Sequence, residues 1–373
     1  MMSIYLDYNA TTPIDPRVAK AMLPFLEEHF GNPSSAHSFG VTTRKAVNKS
    51  REQVANLIGC KTEELIFTSG GTESNNHALR GYAFANKNRG NHIITSVIEH
   101  PAILNVCDYL EKYGFEITKI PVDSFGMIDP SDVESAITSQ TILISIMHAN
   151  NEVGTIQPIR KISDIAHKHN IAVHCDAAQS LGKITVNADE MDVDLLSIAG
   201  HKLYAPKGVG ALFIRDGIIL EKFMIGANQE SAKRAGTENV LEIVGLGKAA
   251  EIAQTEIKQN MDHQREMRDL LWKGIKNNFP NVKLNGHPVE RLPNTLNVSF
   301  PDLDEYKVLD VFTEISASAG AACHSDDMTI SPVLEAMIVP LEFARGTIRF
   351  STGRFTTEEE IYQTIEKLIE IIK

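Results

Sequence analysis

Two stretches of this chain end apolar runs in groups that do chemistry. One is Val173-His174-Cys175-Asp176, followed by Ala177, Ala178 and Gln179; the other runs from Asp194 through Leu195, Leu196 and Ile198 to Gly200-His201-Lys202. Each reads as the polar end of a buried strand, because such groups are costly to hide without partners. In an α/β sheet such ends converge on the ligand crevice. A lysine can form a Schiff base with an aldehyde, and an aspartate can keep a pyridine nitrogen protonated. These are the two protein groups that pyridoxal 5′-phosphate (PLP) chemistry most needs. Taken alone, Asp176 also fits a helix N-cap for Ala177 to Leu181, and Lys202 a surface loop.

Other segments supply compatible parts. Phe67 to Asn76, with Gly70, Gly71 and Thr72, follows an apolar run and opens a helical pattern, which suits an anion held by backbone N–H groups. The segment lacks the Gly-Lys-Ser/Thr ending of a nucleotide P-loop, and it equally fits a capped strand-to-helix turn. His100 precedes Pro101 at the expected start of a helix, where an imidazole can stack on a ring and move protons, or simply cap. Asn150 and Asn151 follow the apolar run Leu143 to Met147, and Gln179 lies one expected helical turn beyond Asp176. Cys323 sits among small residues, Ser316 to Ala322, without the large apolar neighbours of a structural thiol, in what reads as a mobile loop. Arg349 interrupts an apolar strand pattern and needs a carboxylate, either structural or that of an amino-acid substrate. His167, His169 and His174 fit no zinc spacing, and the first two suit a helix C-terminus, so no metal is expected.

Positioning these groups requires a sheet. Between Ser50 and Leu212, helical patterns alternate with apolar runs at 65–68, 92–97, 117–122, 141–146, 171–174 and 210–214, which predicts an α/β fold with a largely parallel sheet between helices. A long helical stretch from Asn239 to about Asn278 leads to a smaller α+β region: strand 295–300, helix 306–314, strand 315–317, the Cys323 loop, strand 347–351 and helix 357–372. A large domain over 15–255 is expected, and a small one over 1–14 and 256–373, with the boundary inside the long helix. With 373 residues, 43% hydrophobic, the chain is long enough for two cores. A formal charge of −12 argues against nucleic acid or an anionic membrane as the main partner. No leader or membrane-length apolar run is seen, so a cytoplasmic protein is expected, and the 4 cysteines lack paired spacing and should be free thiols.

Taken together and in order, these segments resemble the cysteine desulfurases, PLP enzymes of fold type I in the class V aminotransferase group. The likeness rests on Leu6 to Thr12, Gly31 to Ser35, Phe67 to Asn76, Ile98-Glu99-His100, His148 to Gly154, Asp176 to Gln179, Gly200 to Lys202, Arg234 to Glu238, Cys323 and Ile348 to Arg354. The resemblance implies a Schiff base at Lys202, His100 stacked on the ring, Asp176 at the pyridine nitrogen, Gln179 at the ring oxygen and Asn151 beside the ring. It places Gly71, Thr72 and His201 around the phosphate, with Thr237 reaching it from the partner of a homodimer. Arg349 and Asn151 would bind the substrate carboxylate, and Cys323 would take the sulfur of L-cysteine as a persulfide and pass it to an acceptor protein. Members tied to iron–sulfur cluster assembly carry serine where this chain has Ala199, which removes one phosphate donor. The Cys323 segment also resembles selenocysteine lyases, so L-selenocysteine is the alternative substrate. An aminotransferase of small amino acids and an inactive sulfur-relay scaffold are further readings.

Overall fold

A computed structural model describes residues 4–301, 303, 305–324 and 327–372; side chains at 305, 306 and 321–329 lie outside the described set. Strands are numbered along the chain: β1 (Ile4–Tyr5), β2 (Leu65–Thr68), β3 (His92–Ser96), β4 (Glu116–Ile120), β5 (Thr141–Met147), β6 (Ala172–Asp176), β7 (Leu195–Ala199) and β8 (Gly210–Ile214). The last seven form one sheet in the order β2-β8-β7-β6-β5-β3-β4. Pairing from β7 through β6, β5 and β3 to β4 is parallel, whereas β8 runs antiparallel to both neighbours. The expected α/β sheet is present, mixed at this one strand. Every residue of β5, β6 and β7 is buried, which is why these strands read as apolar runs rather than alternations.

Parallel pairing has a direct consequence for function. The carboxyl ends of β3, β5, β6 and β7 lie along one edge, so the segments leaving them meet there. Antiparallel β8 brings its amino end to the same edge, and Gly210 packs so tightly on Gly70 that a Cβ at 210 would lie 2.7 Å from the Gly70 Cα. Gly70 itself adopts φ 149°, ψ −178°, a conformation essentially reserved for glycine. Larger residues at either position would displace the turn from β2 into the helix Gly71–Asn76.

The second region contains β9 (Lys283–Asn285), β10 (Thr295–Ser299), β11 (Ile315–Ser316), β12 (Ser318–Ala319), β13 (Ala321–His324), β14 (Asp327–Ile330) and β15 (Thr347–Ser351). β12, β15, β10 and β9 form an antiparallel sheet, and β1 pairs in parallel with β11, so the start of the chain belongs to its far end. The helix Val240–Asn278, capped by Asn239, contributes Ile243 to Ala253 to the core beneath the large sheet. Its other half contributes Met267, Leu271 and Ile275 to a second core with Leu6, Val298 and Phe350.

One sequence expectation is corrected here. The Cys323 segment is not a loop: β13 and β14 pair antiparallel, with Cys323 opposite Met328 in register. Its Ala- and Ser-rich composition has low intrinsic strand preference, so pairing with β14 decides the conformation. Beyond it, Ser331 caps the helix Pro332–Ala336, and its hydroxyl hydrogen-bonds Glu152.

That helix ends on a strained residue. Ile338 sits at φ 57°, with its N–H bonded to Glu335 O and that of Val339 to Leu334 O, and its side chain is 86% exposed. The left-handed position after a helix favours glycine, since a Cβ there clashes with backbone. Ile338→Gly is expected to stabilise the fold by about 1 kcal/mol, read as a higher urea midpoint at unchanged slope. No helix among the described residues is long and apolar enough to cross a membrane.

Candidate active site

A cavity opens at the shared strand edge. It is lined by Gly71 and Thr72 beyond β2, His100 beyond β3, Asn151 beyond β5, Asp176 and Gln179 at the end of β6, and His201 and Lys202 beyond β7. Eight sequence-predicted residues therefore come together. Thr237 is exposed and does not line this cavity, the Arg349 side chain reaches only its rim through Asn151, and the Cys323 side chain lies outside the described residues.

Asp176 is the last residue of β6 and buried. Its Oδ2 accepts from Asn75 Nδ2 at 2.7 Å and its Oδ1 from the Ala178 N–H at 2.9 Å. The residues after it form a turn rather than the helix that sequence suggested, so Asp176 closes a turn and Gln179 lies in it. With one donor on each oxygen, the carboxylate keeps accepting capacity for a cationic N–H in the cavity. Asn75, itself buried, leaves its Oδ1 without a protein partner on the same cavity wall.

Lys202 sits in a short 3₁₀ turn, Gly200–Lys202, and its Nζ donates to Asn9 O at 2.8 Å. Burial, and then the Arg349 guanidinium, push its amine down to about 8, against the opposing pull of Asp176 and Asp7. His100 caps the helix Pro101–Glu111, accepting from the Ala102 N–H at 3.1 Å, and also lines the cavity. Loss of hydration holds it below the usual imidazole range, with Asp176 opposing and Lys202 reinforcing. Burial and then the cations Lys202, Lys207 and Lys183 push His201 down to about 4; the ring is neutral at pH 7, its Nδ1 3.1 Å from Thr11 Oγ1.

The paired asparagines divide their work. Asn150 takes the turn role, its Oδ1 accepting from the N–H groups of Glu152 and Val153, while Asn151 faces the cavity. Arg349 has its carboxylate: Nη2 donates to Asp7 Oδ1 at 2.7 Å and to Ser318 Oγ at 2.6 Å, and Nη1 to Asn151 O at 3.0 Å. Asp7 is thus a structural partner of the kind the strand pattern called for. Its Nε is buried without a protein acceptor.

Several supporting residues escaped sequence reasoning. Asn9 is a buried hub: its carbonyl accepts from Lys202 and Gln179, its Oδ1 from Lys183 and Asn294, and its Nδ2 donates to Asn151 O and Thr295 Oγ1. Glu99, directly before His100, is fully buried. Its Oε1 accepts from Ser96 Oγ and the Met147 N–H, and burial, reinforced by Asp176, pushes it up to about 8. A polar residue inside the apolar run Ile93 to Ile98 and its sequel was the available signal.

Comparison with known proteins agrees with this geometry. The profile of the family described as aminotransferase class-V matches residues 4–363. The chain belongs to that family. Cysteine desulfurase IscS of Dictyoglomus turgidum is 50% identical over 99% of this chain and 94% of its own length. A solved NifS-like protein superposes with a TM-score of 0.93 at 38% identity, covering 99% of each chain. The structure described as SspA in complex with cysteine gives 0.83 at 37% identity over 95% of this chain and all of its own. This class-V chain thus shares with cysteine desulfurases nearly its whole length, from the hub at Asn9 to Arg349.

Proposed function

We propose that this chain is a PLP-dependent cysteine desulfurase, converting L-cysteine to L-alanine and taking up the sulfur on Cys323 as a persulfide. The observation that carries this reading is the placement of Lys202 and Asp176 on one cavity, the amine softened and the carboxylate buried with room to accept. The cavity fits PLP on its own terms. It offers a nucleophilic amine, a buried carboxylate, the Gly71–Thr72 helix start and neutral His201 as donors for a phosphate, and Gln179 for a ring oxygen. Bound there, the cofactor supplies an electron sink for the substrate Cα–H bond.

The chain's own residues do the rest. Asp176 holds a proton on the ring nitrogen, since an opposite charge at contact favours the ionised ring. Lys202 Nζ, neutral in a useful fraction near pH 7, takes the proton from the substrate Cα. Arg349, helped by Asn151, orients the substrate carboxylate. Cys323 Sγ, as thiolate, attacks the substrate sulfur: the S–S bond forms, the Cβ–S bond breaks, and Cβ takes a proton carried by His100, which leaves alanine. Sulfur then passes to an acceptor protein.

A homodimer belongs to the same reading. Thr237 is exposed and away from its own cavity, on a stretch that also exposes Ile219 (70%) and Ile225 (90%), as a segment reaching a partner's phosphate would be. The division into domains 15–255 and 1–14 with 256–373 follows the two cores fed by the long helix, and the unpaired thiols of Cys60, Cys107 and Cys175 suit a cytoplasmic setting.

The direct test supplies PLP and L-cysteine and measures products. Alanine and sulfide in equal amounts are expected when a thiol reductant is present to cleave the persulfide, and one added sulfur atom on the Cys323 peptide by mass spectrometry when the reductant is left out. A keto acid without alanine would assign the chain to transamination instead, and far faster turnover of L-selenocysteine would make selenium release its task. A pH dependence also follows. Below about 8 the Lys202 ammonium cannot attack an aldehyde, so reconstitution with PLP should accelerate with pH, by about tenfold per unit well below the midpoint, and level off above it. Arg349→Gln removes a cation and frees Asp7, both of which raise the Lys202 pKa, so the midpoint should move upward.

A further inference from the structure

Lys183 lies one turn beyond Gln179, is 4% exposed and does not line the cavity. No carboxylate among the described residues pairs with it. Its Nζ instead donates to two side-chain amide oxygens, Gln179 Oε1 at 2.7 Å and Asn9 Oδ1 at 2.9 Å. Burying an amine this deeply is expensive, and nothing in the proposed reaction uses it.

The geometry points to Lys183 as a positioning residue that fixes which way the Gln179 and Asn9 amides face, so that Gln179 turns a donor, not an acceptor, into the cavity. An amide has two nearly isosteric orientations, and its surroundings choose between them. As an ammonium Lys183 has donors and no acceptor, so a flipped amide would set NH2 against N–H and lose the bond. With Oε1 held by Lys183, Gln179 Nε2 spends one hydrogen on Asn9 O at 2.9 Å and has one left for a ligand. The same clamp on Asn9 Oδ1 directs its Nδ2 to Asn151 O and Thr295 Oγ1, and so steadies the carbonyl that receives Lys202. The ligand group selected is an oxygen acceptor at the Gln179 side of the cavity. On the reading proposed above, on which this inference rests, that group is the cofactor's ring 3-oxygen.

The experiment compares binding of PLP and 3-deoxypyridoxal 5′-phosphate to the cofactor-free protein by fluorescence titration. Wild type should prefer PLP by about tenfold, the worth of one good hydrogen bond. Lys183→Met and Gln179→Leu should each shrink that preference below about threefold, with the double variant no worse than either. Lys183→Arg, which keeps a donor, should restore most of it and serves if the methionine variant does not fold. A merely structural lysine would weaken both ligands equally, and an unchanged preference in Lys183→Met, or in its place Lys183→Leu, would overturn the inference. Failure of the wild type to bind PLP at all would overturn the cofactor assignment, and this inference with it.

Discussion

Replacing Lys202 by alanine is expected to lower desulfurase turnover by at least about 10⁴-fold, while the protein still folds and still binds PLP reversibly. On the proposed mechanism two roles vanish together, the covalent tether and the base at the substrate Cα, and no other amine among the described residues lines the cavity. Lys183 is buried behind Gln179 and held by two amide oxygens, so it cannot substitute. The variant leaves the Asn9 carbonyl with Gln179 as its remaining donor, so a small loss of stability is expected beside the large loss of activity. Steady-state assay of alanine, together with borohydride trapping of cofactor on the protein, checks it: turnover within tenfold of wild type would remove Lys202 from the centre of the reaction.

Asp176→Ala is expected to cost about 10³-fold in turnover and only modestly in affinity. Its carboxylate is the negative charge at the end of β6, oriented by Asn75 Nδ2 and the Ala178 N–H, so removing it deprives a ring nitrogen of its proton-holding partner. Asp176→Asn keeps the turn and the bond to the Ala178 N–H but not the charge, and should lose nearly as much, which separates electrostatics from architecture. Two further readouts follow from neighbouring groups. Without Asp176, His100 and Lys202 lose an anion that raises their pKa, and Glu99 loses one that raises its own. The rising limb of the pH–rate profile, to the extent that Lys202 sets it, should therefore move to lower pH.

What the sequence disclosed depended on contrast along the chain. Asp176, Lys202 and His100 were legible because each interrupts or ends an apolar run, and parallel strands bring such ends to one edge. Lys183 was not, since Leu181-Gly182-Lys183-Ile184 looks like an ordinary turn with a surface lysine, and its burial comes from Asn9, a residue 174 positions away. Asn9 itself reads as part of a short polar motif; its partners, from Asn151 to Ser351, lie 142 to 342 residues away. Arg349 was correctly seen to need a carboxylate, but its partner, Asp7, is 342 residues distant, beyond any local pattern. The Cys323 segment misled for another reason: alanine and serine signal a loop, and the ladder with β14 overrides that signal. Likewise Asp176 suggests the N-cap of a helix over Ala177 to Leu181, but the chain turns there, and Gln179 Nε2 reaches Asn9 O.

The bond from the Asn9 N–H to Ser351 Oγ, closing a separation of 342 residues, carries a consequence for biosynthesis. The acceptor for Lys202 cannot be locked through this bond until Ser351 has been made, roughly 20–70 s after Asn9 at ordinary translation speeds. A nascent chain, however well its large sheet has formed, holds an unfinished pocket until Ser351 has emerged, so a stable grip on an aldehyde there waits for the second sheet.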